Sequence, residues 1–310
     1  VPKRAKVSIV GAGTVGTAAA HWIASRQLAD VVLVDIIEGL PQGKALDIMQ
    51  AGPIAGFDGK VTGSNDYAST AGSDVVVITA GIARKPGMTR EQLIDTNAGI
   101  MRSIVGPVVK HSPGAVLLVV TNPLDAMMYL TVKAAGLPRA RVIGESGALD
   151  STRFRTFLAM ELGVSVNDVH ALVVGAHTDK DMVPLPRYAT VRGIPVSHLL
   201  SAAQIEAVVA RTRRGGAEIT ELMKASAFTA PGASICEMVE AILRDQKRVI
   251  GCCVLLEGEY GERDVCVGVP VILGAGGMEK IIEIPLDAAE KAAFKSSVAA
   301  IREMLGAMKA

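Results

Sequence analysis

The sequence predicts a doubly wound parallel α/β sheet followed by an α+β unit with antiparallel strands, and three observations carry that prediction. Over the first half, short unbroken apolar runs alternate with helix-like segments. A glycine-rich turn, "GAGTVG" from Gly11 to Gly16, joins the first apolar run to the first helical segment. Beyond about Gly144 the strand-like runs follow one another with only turn signals between them. Strands that are covered on both faces read as continuous Val/Ile/Leu runs, which is the mark of a parallel sheet between two helical layers. Consecutive strands without intervening helices return antiparallel.

In order, "KVSIV" begins at about Lys6, a helix follows from Thr14 to about Arg26, and "VVLVD" is the second strand. A helix over roughly Gly39–Gln50 comes next, then "DVVVITA", "AVLLVV" and "RVIG", separated by helices near 91–111 and 124–135. Right-handed crossovers make this a Rossmann-type sheet. The second half starts with a helix, "ALDSTRFRTFLAMELG", and a strand, "VHALVVG". A long helical region from about Ala202 to Ala227 is expected to be interrupted at Gly215-Gly216, since glycine disfavours helix interiors. The strands "RVIGCCVLLEG", "DVCVGVPVILG" and "KIIEI" and a final helix over about 286–308 complete the chain. The change of pattern divides it into residues 1–144 and 145–310, two domains packed directly on each other without a flexible linker.

Composition narrows the function. The chain has 310 residues, of which 50% are hydrophobic, and a formal net charge of only +1. That balance argues against a nucleic-acid binder and against disorder. No apolar run approaches the ~20 residues of a membrane span. A first strand starting at about Lys6 leaves no room for a secretory signal, so a cytoplasmic protein is expected. Cys236, Cys252, Cys253 and Cys266 lack metal-binding spacing. They are expected to be reduced core residues, and no metal is expected.

The glycine turn has the form GxGxxG. Gly11 permits the tight turn, Gly13 lets the backbone approach a pyrophosphate, and Gly16 lets helix and strand pack closely. Thr14 and Val15 open the helix, whose free N–H groups and positive dipole end suit phosphates. Asp35 closes the second strand, where a carboxylate can accept hydrogen bonds from both ribose hydroxyls and would repel a 2′-phosphate. NAD is therefore favoured over NADP, the alternative being an ordinary βα turn with a surface Asp.

Ligands of such sheets sit at the carboxyl ends of the strands. The basic loop "GIARKPGMTR", with Arg84, Lys85 and Arg90, leaves one such end; Asn122 in "VTNPLD" leaves another. Asp150 and Arg153 lie three apart on a helix face, and His177 in "GAHTD" follows a strand. Singly each has a structural reading: a surface ion pair, a loop histidine, a solvated loop, a turn-former before Pro123. Behind a dinucleotide turn, their combination points to chemistry.

The chain resembles the lactate/malate dehydrogenase family, and within it the prokaryotic malate dehydrogenases that are similar to lactate dehydrogenases. The resemblance covers nearly the whole length and rests on "GAGTVG", "VVLVD", "ITAGIARKPGMTR", "VTNPLD", "GESGALDSTRFR", "VVGAHTD", "MVPL" and "VGVPVILGAGGMEKIIEI". It implies NAD-dependent, reversible oxidation of (S)-malate to oxaloacetate. His177 would be the general acid/base, Asp150 would orient it, Arg153 would grip the C1 carboxylate, Arg90 would polarise the C2 oxygen, and Asn122 would hydrogen-bond the substrate. Arg84 stands where malate enzymes carry arginine and lactate enzymes typically glutamine, so it would meet the second carboxylate. Cofactor contacts would come from Gly11, Gly13, Thr14, Val15, Gly16, Asp35, Thr79, Ala80, Gly81, Asn97, Val120 and Asn122. The family also implies a homodimer or homotetramer. Lys85 has no role and reads as a solvated charge. Lactate or another 2-hydroxyacid dehydrogenase is the alternative, and a catalytically silent NAD-binding protein a remote one. The chain departs from the family's usual His-Gly-Asp at Thr178 and carries one more residue than expected before "MVPL".

Overall fold

In the computed structural model, residues 4–83 and 87–308 are described, with the Arg90 side chain left outside. The first half runs β1 (Lys6–Val10), α1 (Thr14–Ser25), β2 (Asp30–Val34), α2 (Leu40–Ala55), β3 (Val61–Ser64), β4 (Val75–Ile78), α3 (Arg90–His111), β5 (Val116–Val119), α4 (Leu124–Ala135) and β6 (Val142–Glu145). These six strands pair in parallel in the order β3-β2-β1-β4-β5-β6. Their Val, Ile and Leu side chains are buried on both faces, as for Ile9, Leu33, Val77 and Leu118. That double burial is what the unbroken apolar runs encode.

The second half contains α5 (Gly147–Leu162), β7 (Val169–His170), β8 (Val173–Gly175), β9 (Met182–Pro184), β10 (Thr190–Val191), β11 (Ile194–Pro195), α6 (Ala202–Met223), α7 (Thr229–Leu243), β12 (Arg248–Glu257), β13 (Arg263–Gly274), β14 (Gly277–Ile281) and α8 (Ala288–Gly306). Its main strands do not form a separate sheet. β12 pairs antiparallel with β6, placing Cys253 opposite Gly144 and Cys252 opposite Glu145. β13, β8 and β9 continue outward from β12, and β14 pairs with β13, making one 11-stranded sheet. The small β11-β10-β7 sheet stands apart. All four cysteines are free and buried.

One close helix-to-helix approach and one helix cap help to fix the layer packed on the sheet. A Cβ on Gly232 of α7 would lie 2.8 Å from the Cβ of Ala18 on α1, so the two helices meet through a glycine and a small-residue face. α3 opens with a full capping box: Thr89 Oγ1 accepts from Gln92 N, and Gln92 Oε1 accepts from Thr89 N.

Several expected elements are corrected. α6 is continuous through Gly215-Gly216 and ends at Met223 rather than Ala227. "VHALVVG" is broken into β7 and β8, which belong to different sheets. The last strand is "GMEKI" rather than "KIIEI". β9, β10 and β11 are too short for a hydrophobic period to reveal. α2 runs past Gln50 to Ala55 and carries Pro53 in its last turn.

Candidate active site

The glycine turn has the geometry its residues suggest. A Cβ on Gly16 would lie 2.0 Å from the carbonyl oxygen of Gly11, and one on Gly11 would lie 2.6 Å from the Ala80 nitrogen. Gly11 also has φ +109°, which favours glycine. At Gly13 a Cβ would meet nothing within 4 Å, so the space over the N-terminus of α1 is open. No side chain caps α1 there, so its first N–H groups face that space. Asp35 Oδ2 accepts the Ala12 N–H at 2.8 Å and Oδ1 accepts that of Ile37 at 3.0 Å, which fixes the carboxylate beside the turn. Open backbone donors beside an oriented carboxylate fit a dinucleotide.

Because the Gly16 position leaves no room, Gly16→Ala is expected to weaken NADH binding by about tenfold or more through displacement of the turn. A fluorescence titration with NADH checks this, with circular dichroism to confirm the fold; unaltered affinity would contradict the packing argument.

The neighbouring strand ends converge on the same edge. Thr79 Oγ1 donates to the Gly11 carbonyl at 2.9 Å, tying the end of β4 to the glycine turn. Asn97 is buried on α3, and its amide is committed to the backbone. Its Oδ1 accepts from Ile82 N, and its Nδ2 donates to the carbonyls of Ile82 (3.1 Å) and Asn122 (2.7 Å). Asn97 therefore holds the chain after β4 against the end of β5. Gly81 fits there only without a side chain, since a Cβ would lie 2.6 Å from Thr121 Cγ2. Asn122 itself is exposed, and its peptide bond to Pro123 is cis.

His177 and its partners lie at the junction of the two halves. Its Nδ1 stands 2.7 Å from Asp150 Oδ2, and because an ionised carboxylate can only accept, the ring donates through Nδ1. That leaves Nε2 as the nitrogen able to exchange a proton. Asp150 Oδ1 accepts from Arg153 Nη1 at 2.9 Å, so one buried carboxylate joins histidine and guanidinium. The Asp150 side chain is 3% exposed, against 13% for His177 and 14% for Arg153, which places the ring and the fork at the surface of the cleft. Burial by itself lowers the His177 pKa, but the charge of Asp150, its hydrogen bond and the charge of Glu145 outweigh it and push the pKa up to about 9.

Gly215 and Gly216, expected to break α6, have a different use. A Cβ on Gly215 would lie 3.2 Å from Arg153 Cδ, and one on Gly216 would lie 3.6 Å from Nη2. The glycines let α6 pass close over the guanidinium stem. Thr178 is accommodated as well: its Oγ1 donates to Asp181 Oδ2 at 2.8 Å and accepts the Asp181 N–H at 3.0 Å. This small turn takes up the residues between His177 and β9.

Two further acids close the site from behind, and the sequence reading gave neither a role. Asp125, in the first turn of α4, accepts the backbone N–H of His177 on Oδ2 at 3.0 Å. Glu145 ends β6, and burial pushes its carboxyl up to about 7. Its Oε1, Ser146 Oγ and Ser234 Oγ are buried without a hydrogen-bond partner among the described residues. The available signal was an acidic residue inside an otherwise apolar stretch, "PLDAMMYL" for Asp125 and "RVIGESGAL" for Glu145.

Arg84 and Lys85 lie outside the described residues, and for Arg90 only its place at the start of α3 is described. Among the described residues no His/Cys/Asp/Glu group could hold a metal, and no helix is long and apolar enough to cross a membrane.

Comparison with known proteins places the chain. Residues 5–144 match the NAD binding domain of the lactate/malate dehydrogenase family, and residues 147–310 match its alpha/beta C-terminal domain. A malate dehydrogenase of Roseiflexus sp. (strain RS-1) is 55% identical over 308 residues, 99% of each chain. One of Desulforudis audaxviator is 57% identical over 304 residues, 98% of each chain. Among solved structures, the malate dehydrogenase of Picrophilus torridus superposes with a TM-score of 0.95 at 46% identity, covering 98% of this chain and 97% of its own. A lactate dehydrogenase of Cryptosporidium parvum, complexed with lactic acid and nicotinamide adenine dinucleotide, also gives 0.95, at 40% identity and covering 99% of this chain and 98% of its own. Architecture alone thus does not separate the two substrates.

Proposed function

The chain belongs to the lactate/malate dehydrogenase family, and we propose a division of labour among its residues for the NAD-dependent interconversion of malate and oxaloacetate. The observation that carries it is the Asp150 carboxylate bridging His177 and Arg153 at the strand ends. Bound over the glycine turn and Asp35, NAD supplies the acceptor for the hydride that leaves C2 of malate. His177 Nε2 takes the proton of the 2-hydroxyl as the hydride departs and returns it in the reverse direction. Asp150 holds the ring in the tautomer with Nδ1–H and stabilises the imidazolium.

Arg153 receives the C1 carboxylate. A guanidinium presents parallel donors to a carboxylate, and one of its nitrogens is already committed to Asp150. Asn122, exposed at the end of β5, donates to the substrate, while Arg90 polarises the C2 oxygen. Asn97, assigned to the cofactor by resemblance, serves it by fixing the segment from Gly81 to Ile82. Thr14, Val15, Ala80 and Val120 complete the nucleotide surface.

Arg84 sets the substrate. A guanidinium enclosed over pyruvate would lack a partner, whereas the second carboxylate of oxaloacetate supplies one. Arg84→Gln is expected to lower the preference for oxaloacetate over pyruvate by about 10⁴-fold, the scale on which unpaired polar groups discriminate. NADH oxidation with each ketoacid measures the ratio, and an unaltered ratio would refute this role.

The same reading divides the chain at Gly144 into a nucleotide-binding part and a substrate part. It places the enzyme in the cytoplasm as a homodimer or homotetramer. Self-association is what the family resemblance supports.

A further inference from the structure

Two carboxylates, not one, hold His177. Asp150 takes the ring through Nδ1, and Asp125 takes the main chain through the His177 N–H. Asp125 is only 1% exposed. Its other oxygen lies 3.5 Å from Cys253 Sγ on β12. The titratable groups facing it are His177, Cys253, Asp150 on α5 and Cys266 on β13. His177 is thus the one group among them able to carry a positive charge.

Burying a carboxylate is costly unless its charge is compensated. Holding a single N–H would not require that cost, since a neutral amide oxygen at the same place would accept the bond as well. Asp125 also sits in the first turn of α4, where the helix dipole favours an anion. It follows Asn122 by three residues, on the segment that leads from the end of β5 into α4.

We propose that Asp125 is a positioning residue for the proton transfer. Its carboxylate, bonded to the His177 N–H, sets the histidine against Asn122 and adds a second negative charge that stabilises the imidazolium. This rests on the reading of His177 as the acid/base. Burial lifts the Asp125 carboxyl against the pull of the His177 charge, its N–H and the Cys253 thiol, and the balance of these lies at about 6.

The test is the pH dependence of kcat for malate oxidation at saturating NAD, in the unmodified enzyme and in Asp125→Asn. Asn keeps an oxygen for the His177 N–H and removes only the charge. Loss of a neighbouring anion lowers the histidine pKa, so the neutral base persists to lower pH. The expected result is retained NADH binding, turnover reduced about tenfold, and an acid limb moved down by about one pH unit. An acid limb that stays in place, whatever turnover does, overturns the proposal. An unmodified enzyme inactive on malate would instead overturn the assigned reaction.

If Asp125→Asn fails to bind NADH, the unmodified protein supplies the second arm. The His177 backbone amide proton, followed by NMR, should show a titration step near pH 6 as Asp125 protonates. An amide that follows only the imidazole step near 9 would equally overturn it.

Discussion

His177→Asn is expected to lower turnover in both directions by about 10⁴-fold, the upper end of what a positioned acid/base contributes. NADH affinity should be unchanged, because the nucleotide turn at Gly11–Gly16 and Asp35 lies on other elements. Asn retains polarity but cannot shuttle a proton at neutral pH, so the loss isolates that function. Stopped-flow turnover and an NADH titration separate the two quantities, and turnover within tenfold of the unmodified enzyme would remove His177 from the reaction. The unmodified enzyme should show the matching pH profile. Malate oxidation needs the neutral ring, so it rises with pH up to about 9; oxaloacetate reduction needs the imidazolium, so it holds below that value and falls above it.

Arg153→Lys is the second large effect. An ammonium keeps the positive charge but loses the planar fork, so it cannot serve Asp150 and the substrate carboxylate in parallel. Losing one charge-assisted hydrogen bond, about 1.5–3 kcal/mol, corresponds to a rise in KM of about 10- to 100-fold. The shorter, more mobile head should leave kcat less affected than KM, since proton transfer still runs through His177 and Asp150. Steady-state kinetics with oxaloacetate tests the split. A KM unchanged to within a factor of two would move the C1 carboxylate elsewhere.

How much of this could be read from the chain depends on the physical signal each element leaves. Five of the six parallel strands were legible because burial on both faces leaves unbroken apolar runs, whereas β3, with only Val61 buried, leaves none. The glycine turn was legible because each glycine answers a separate steric demand. His177, Asp150 and Arg153 were recognisable as a set, and the structure brings them into one hydrogen-bonded chain. Gly215-Gly216 misled, because propensity sees the lost Cβ but not the guanidinium that uses the space. β9, β10 and β11 span two or three residues each, too few to show a period. Asp125 escaped because its partner is a backbone N–H 52 residues away, so the lone acid in an apolar stretch showed burial without showing what it binds. The continuity of the sheet escaped for a similar reason: nothing in the sequence marks β12 as the antiparallel partner of β6.

That continuity has a mechanical consequence. Because β6 is laced to β5 on one edge and β12 on the other, the two halves share a single girder. Swinging one half over the other would break the β6–β12 pairing, in which Cys252 faces Glu145 and Cys253 faces Gly144. The glycine turn that follows β1 and the histidine that follows β8 are thus hung from one continuous framework rather than from two separate ones.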